Sequence, residues 1–224
     1  MSSEVPVPPR KLPLVKLAIA AIALGVLVLF ALRGVDFRAW IEDGMALIRR
    51  AGPWAFFSAM AVLPAFGVPL MAFTIPAGEA FADQMTMGGV IAVALVILAF
   101  NLALAYGVAR YAFRPLLLNL IKRYGYEIPR VTPENALSVA LLVRLTPGPP
   151  YSVQNFILGV AEVPFRIFMV VSWLAVAPWE VGGIVLGKGL FEGNFKIVAT
   201  GMGVLVVAVV LVQWLRRKYS RRER

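Results

Sequence analysis

The sequence predicts an all-α polytopic membrane protein with about four spanning helices plus two opposing re-entrant helical hairpins in an inverted repeat. Three observations point there. The 224-residue chain is 60% hydrophobic and only 15% charged, its mean hydropathy is +0.82, and its apolar runs are long enough to cross a bilayer. Its basic residues gather beside those runs, where they orient a chain and attract anionic head groups, so the formal charge of +10 does not point to nucleic acid. Two further apolar stretches are interrupted by proline and glycine. The length fits one compact membrane domain with short loops.

Residues 1–13 form a basic, cytoplasmic N-terminus with Arg10 and Lys11. The run 14–32 has no convincing small-x-small cleavage site after it and reads as an uncleaved anchor. Residues 33–53 mix Arg33, Arg38, Arg49 and Arg50 with Asp36, Glu42 and Asp43, and the spacing of Trp40, Met45, Ala46, Leu47 and Ile48 marks an amphipathic surface helix. The first interrupted stretch, 54–83, is punctuated by Pro64, Pro69, Pro76 and Gly78, and a span over 88–112 comes next. The second interrupted stretch, 136–160, contains Pro147, Gly148, Pro149, Pro150 and Gly159. Spans over 166–187 and 196–215 and a basic tail, 216–224, complete the chain.

The basic clusters decide how the interrupted stretches run. Arg10, Lys11 and Lys16 precede the first span; Arg110, Arg114, Lys122, Arg123 and Arg130 surround the central loop; six more basic residues fill the tail. Positive residues favour the cytoplasm. All three clusters fall on that side only if both interrupted stretches dip in and return on the side they entered. The first would enter from outside and the second from inside, so the halves are inverted, and matched broken segments point to a midplane transport site. The arginines of 33–53 lie outside in this arrangement, against the statistical trend.

The chain has no cysteine and no histidine. Disulfides, thiolate catalysis, haem ligation, His-based zinc sites and hydrolases with a histidine base are thereby excluded. No metal, no cofactor and no enzymatic activity are expected, since no nucleophile–base pair can be assembled.

Several polar residues stand inside apolar sequence. Arg144 lies within "LLVRLTPGPPYSVQNFILG". A buried arginine faces a partner or an aqueous cavity; it binds an anionic head group through its planar fork, or it forms a structural salt bridge. Pro147, Gly148, Pro149 and Pro150 prevent a continuous helix there, and a helix restarting around Tyr151 offers a positive N-terminus. Glu79, in "IPAGEAF", pairs with Arg144, carries a proton or is hydrated at the interface. Asp83 reads as a residue of the membrane edge. Gln154 and Asn155 are hydrogen-bonding glue or ligands. Asn101 and Glu180 lie mid-span, and Glu180 joins Glu79 and Asp83 as a candidate proton-relay residue. The candidate substrate-binding set is therefore Arg144, Glu79, Tyr151, Asn155 and Gln154.

"RLTPGPPYSVQNFILGV" followed by "PFRIFMVVSWLAVAPWEVGGIVLGKG" resembles the signature half of the DedA superfamily, in its VTT-domain (SNARE-associated Golgi protein) branch. "PAFGVPLMAFTIPAGEAF" and "NLALAYGVARYAF" resemble its first half. The likeness covers about residues 55–190 and makes 54–190 a DedA/VTT-like transport domain. It implies two opposing re-entrant hairpins and lipid movement between leaflets, of polyprenyl-phosphate carriers in bacterial members and phospholipids in eukaryotic ones. Arg144 would be the family arginine and Glu79 the acid of the first hairpin; Asn155 and Gly159 match the second. Several bacterial members carry a second arginine shortly after the first, where this chain has prolines and Tyr151, which weakens the reading as a phosphate-carrier flippase in particular.

The expected function is a lipid transporter, flippase or scramblase, that moves phospholipid or polyprenyl-phosphate head groups through a cavity between the hairpins. The alternative is a proton-coupled ion or small-solute transporter built on Glu79, Arg144 and Glu180. Membrane lipid is the expected partner, nucleic acid is not, and the oligomeric state is open, a homodimer included. The expected location is the bacterial cytoplasmic (inner) membrane with both termini cytoplasmic.

Overall fold

The computed structural model describes residues 37–115, 131–146 and 148–220. The expected anchor over 14–32, most of the central basic loop and Pro147 lie outside the described residues. The chain divides into two units, Met1–Ala46 and Leu47–Arg224; of the first, residues 37–46 are described and are helical. The described elements are α1 (Phe37–Val62), a tight turn (Leu63–Phe66), α2 (Met71–Gly107) continuing through a wider helical turn (Val108–Phe113), α3 (Ala136–Leu145), α4 (Tyr151–Val160), α5 (Phe165–Glu192) and α6 (Phe195–Ser220). Among the described residues there is no strand. The protein is all-α, and Met71–Phe113, Phe165–Glu192 and Phe195–Trp214 are long and apolar enough to cross a membrane. These contain the expected spans 88–112 and 166–187 and nearly all of 196–215.

Two breaks cut the helices. Gly52 sits at φ 79° inside α1, a conformation glycine adopts without steric cost, and Pro53 then opens a new helical stretch with φ already set. In α2, Met85 and Thr86 leave the helical region, and Thr86 Oγ1 accepts the Gly89 N–H at 3.2 Å, capping the helix that restarts. Between these breaks lies a helix–turn–helix. Its first arm, from Pro53 to Val62, is about 15 Å long and its second, from Met71 to Gln84, about 20 Å. Phe56 packs on Phe73 and Phe81 across the arms, with ring centroids 5.6 and 5.1 Å apart.

The second helix–turn–helix is α3 and α4, of 10 residues each, or about 15 Å. None of these four arms matches the roughly 30 Å of a hydrocarbon core. The breaks differ in part from those expected. Pro64 and Pro69 do lie in the first tip, and Gly148, Pro149 and Pro150 in the second, but Pro76 and Gly78 lie inside α2 and Gly159 inside α4. Pro76 removes one intrahelical hydrogen bond without ending the helix.

α5 lies between α2 and α6 and holds both by close backbone approach. A Cβ on Gly183 would stand 2.5 Å from Thr74 Cγ2, and one on Gly187 would collide with the Ile75 carbonyl. Small residues at such points let helices pack where water supplies no driving force.

Candidate anion-binding site

The last residue but one of α3 is Arg144, whose side chain is 8% exposed. A cation at a helix C-terminus opposes the negative end of the helix dipole, but its other surroundings are neutral. Nε donates to Ser172 Oγ at 3.0 Å and Nη2 to the same oxygen at 2.7 Å. Nη1 donates to Gln154 Oε1 at 3.2 Å and Nη2 also to Asn155 Oδ1. The guanidinium lies 5.6 Å from the Phe168 ring centroid and 5.9 Å from that of Tyr151, within cation–π range. Among the described residues no carboxylate forms an ion pair with it.

Each partner comes from a different place in the chain. Ser172 is fully buried in α5. Gln154 and Asn155 ride on α4, which restarts at Tyr151 after Pro150; Gln154 also steadies the tip by donating to the Pro149 carbonyl at 3.2 Å. Asn155 is 1% exposed; its Oδ1 is committed to Arg144, and its Nδ2 makes no well-formed hydrogen bond although it lies beside the Tyr151 hydroxyl. A buried donor without a well-formed bond is unfavourable unless an acceptor satisfies it.

Tyr151 links this cluster to the first hairpin. Its hydroxyl donates to Asn101 Oδ1 at 2.9 Å, and Asn101 Nδ2 donates to the Ala61 carbonyl at 2.8 Å. Asn101, near the middle of the long part of α2, thus ties the start of α4 to the end of the first hairpin's first arm. The bases of the hairpins lie apart. Arg114 and Arg110 reach Glu162, below α4, at 2.7 and 3.6 Å, while Lys188, at the far end of α5, pairs with Glu192 at 2.7 Å and with Asp83 at 3.9 Å. The tips therefore meet near Asn101 and the bases sit at opposite ends of α5.

The three acids divide. Pairing with Arg144 is one option the sequence leaves to Glu79; it pairs with Arg49 at 2.6 Å instead, because it lies at the base of its hairpin and Arg144 beside the tip of the other. Asp83 has a 95% exposed side chain. Glu180 is 2% exposed and accepts from Thr74 Oγ1 at 3.0 Å, so the three do not form one chain of contacts. A structural carboxylate for Arg144, the other option in the sequence, is likewise absent among the described residues. Gly159 helps seat α4: a Cβ there would come 2.6 Å from Ala109 Cβ.

Ser172 and Thr74 escaped the sequence reading, and Arg49 was read only as part of the amphipathic surface segment. For the first two the signal was a lone hydroxyl in an apolar helix, "MVVSWLAV" and "MAFTIP"; for Arg49 nothing in the sequence named its partner.

The family model for the VTT domain matches residues 68–189, more than half of the chain. The chain belongs to the VTT-domain family. It is a membrane protein of the DedA type, and the matched VTT region contains Arg144 and each of its hydrogen-bonding partners. The chain is also similar to the uncharacterized protein YqeD of Bacillus subtilis (strain 168), at 26% identity over 197 residues, which covers 84% of this chain and 91% of that protein. No solved structure matches it.

Proposed function

We propose that this VTT-domain protein is a lipid transporter, a flippase or scramblase, which carries a phosphate-bearing head group, of a phospholipid or a polyprenyl phosphate, between leaflets. The observation that carries this reading is the Arg144 guanidinium, buried among neutral groups beside the donor Asn155 Nδ2, which makes no well-formed hydrogen bond. A buried cation without a counter-ion is costly, and a phosphate oxygen would satisfy both donors through the arginine's fork. The hairpin arms are too short to cross, and tips that meet while bases lie at opposite ends of α5 favour re-entry from opposite faces. Backbone broken at that depth is tolerated where protein covers it or a water-filled path lines it. The lipid tail would stay in the bilayer while the head group passes the tips, with no covalent chemistry and no resident cofactor.

Placement in the bacterial cytoplasmic membrane, with both termini inside, is supported by the three basic clusters. The test is leaflet exchange in proteoliposomes, with a fluorescent phospholipid and a polyprenyl phosphate offered in parallel. Exchange that disappears in a folded Arg144→Ala variant supports the reading; wild-type protein that moves neither lipid overturns it. One observation favours the second reading, a proton-coupled ion or small-solute transporter: Glu180 is a buried acid in the middle of α5, bonded to Thr74. That reading requires proton flux driven by a solute with no lipid movement.

A further inference from the structure

We infer that the Arg144 site selects a singly charged phosphate diester over a doubly charged phosphate monoester. This rests on the proposed head-group site and names its substrate class. The basis is a balance of charge at a place where charge cannot be screened. Arg144 contributes one positive charge, and Ser172, Gln154, Asn155, Tyr151 and Phe168 contribute none. Of the other cations whose side chains are described, Arg49, Arg110, Arg114 and Lys188 are paired with acids, and Arg50, Arg166 and Lys196 are exposed.

A diester carries one negative charge and closes the site to neutrality. A monoester above its second ionisation brings a second charge for which the described residues of the site hold no counter-charge, and burying it unpaired is strongly unfavourable. The donors agree with the charge. Asn155 Nδ2 and the second hydrogen on Arg144 Nη1 make no well-formed hydrogen bond among the described residues, and the first amides of α4 lack helical acceptors. These suit the two unesterified oxygens of a diester. The aromatic rings of Tyr151 and Phe168 wall the guanidinium with apolar surface, which gives a second negative charge no compensation.

The experiment uses two probes that differ by one charge, octyl phosphate and its methyl ester, titrated into the purified full-length protein in detergent at pH 5 and pH 8. A phosphate monoester has its second pKa near 6, so about a tenth is doubly charged at pH 5 and only about a hundredth stays singly charged at pH 8. The methyl ester keeps its single charge at both values, so any change in its binding reports titration of the protein's own groups, the buried Glu180 included, and octyl phosphate is read relative to it. Octyl phosphate should match it at pH 5 and bind about a hundredfold more weakly at pH 8. Gln154→Lys, which adds a second charge beside Nη1, should restore octyl phosphate binding at pH 8. Octyl phosphate that holds or gains affinity at pH 8 in the wild type overturns the selectivity and leaves the anion site standing. Failure of both probes to bind folded protein removes the site and the selectivity together.

Discussion

Arg144 is held by three side chains that are all acceptors, and the residue type matters as much as the charge. A lysine there keeps the charge but cannot span Ser172, Gln154 and Asn155 at once. Arg144→Lys should therefore fold yet lose about tenfold or more of its leaflet-exchange rate, measured in proteoliposomes at matched reconstitution; an unchanged rate would mean that only the point charge is used. Asn101 makes a different demand. Removing its amide strands the Ala61 carbonyl and the Tyr151 hydroxyl, so Asn101→Leu should cost roughly 1–2 kcal/mol in detergent unfolding, and Tyr151→Phe less. In a double-mutant cycle the two should be non-additive. Arg144, Gln154 and Asn155 were legible as polar residues in apolar sequence, but which of them meet was not. Ser172 is 28 residues from Arg144, and no local periodicity encodes a contact across a turn, a helix and a second turn. Glu79 shows the reverse case: its chemistry was plain, and its partner depended on which end of the hairpin it occupies.

At the scale of elements, α5 is the helix on which the others are measured. Its glycines face both ways, Gly183 and Gly187 toward α2 and Gly182 toward Leu205 of α6. Gly187→Ala would drive a methyl into the Ile75 backbone, which cannot swing aside as a side chain can. It should cost roughly 1–3 kcal/mol and lower the Tm. Gly203→Ala is the matched comparison. A Cβ there meets nothing within 4 Å, and the better helix former should leave stability unchanged or raise it by up to about 1 kcal/mol. If both substitutions behave alike, the close approach does not hold α5 to α2. The spans themselves were readable because apolar length is a property of a single segment. The joints were not. Proline and glycine announced that breaks exist, yet the chain breaks at Gly52 and at Met85–Thr86 while Pro76 and Gly78 stay helical. A proline inside a packed helix removes a single hydrogen bond, whereas a break needs neighbours that satisfy the freed backbone groups, and only the fold supplies those.

For the whole molecule, the central question is which face of the membrane each hairpin base meets. The absence of cysteine makes labelling clean. Asp83→Cys and Glu162→Cys, placed singly, should react with a membrane-impermeant maleimide from opposite sides of sealed vesicles. Labelling of both from one side would sink the inverted arrangement, whatever the transport assays show. The sequence argued for an inverted arrangement from the order of broken and unbroken stretches and the positions of the basic residues, because orientation is governed by charges beside spans. That the tips meet at one asparagine could not be read from either half alone.

The Tyr151–Asn101–Ala61 chain also bears on how the protein is made. Synthesis delivers Ala61 first, Asn101 next and Tyr151 last. The nascent first hairpin can settle against Asn101 as soon as the rest of α2 emerges, but the other end of that amide stays unanswered until fifty further residues have been added. A half-made chain thus carries an open acceptor in the long part of α2, and only arrival of the second hairpin closes it. Truncated products should be recognisable to membrane quality control by that mark, and the finished protein by its loss.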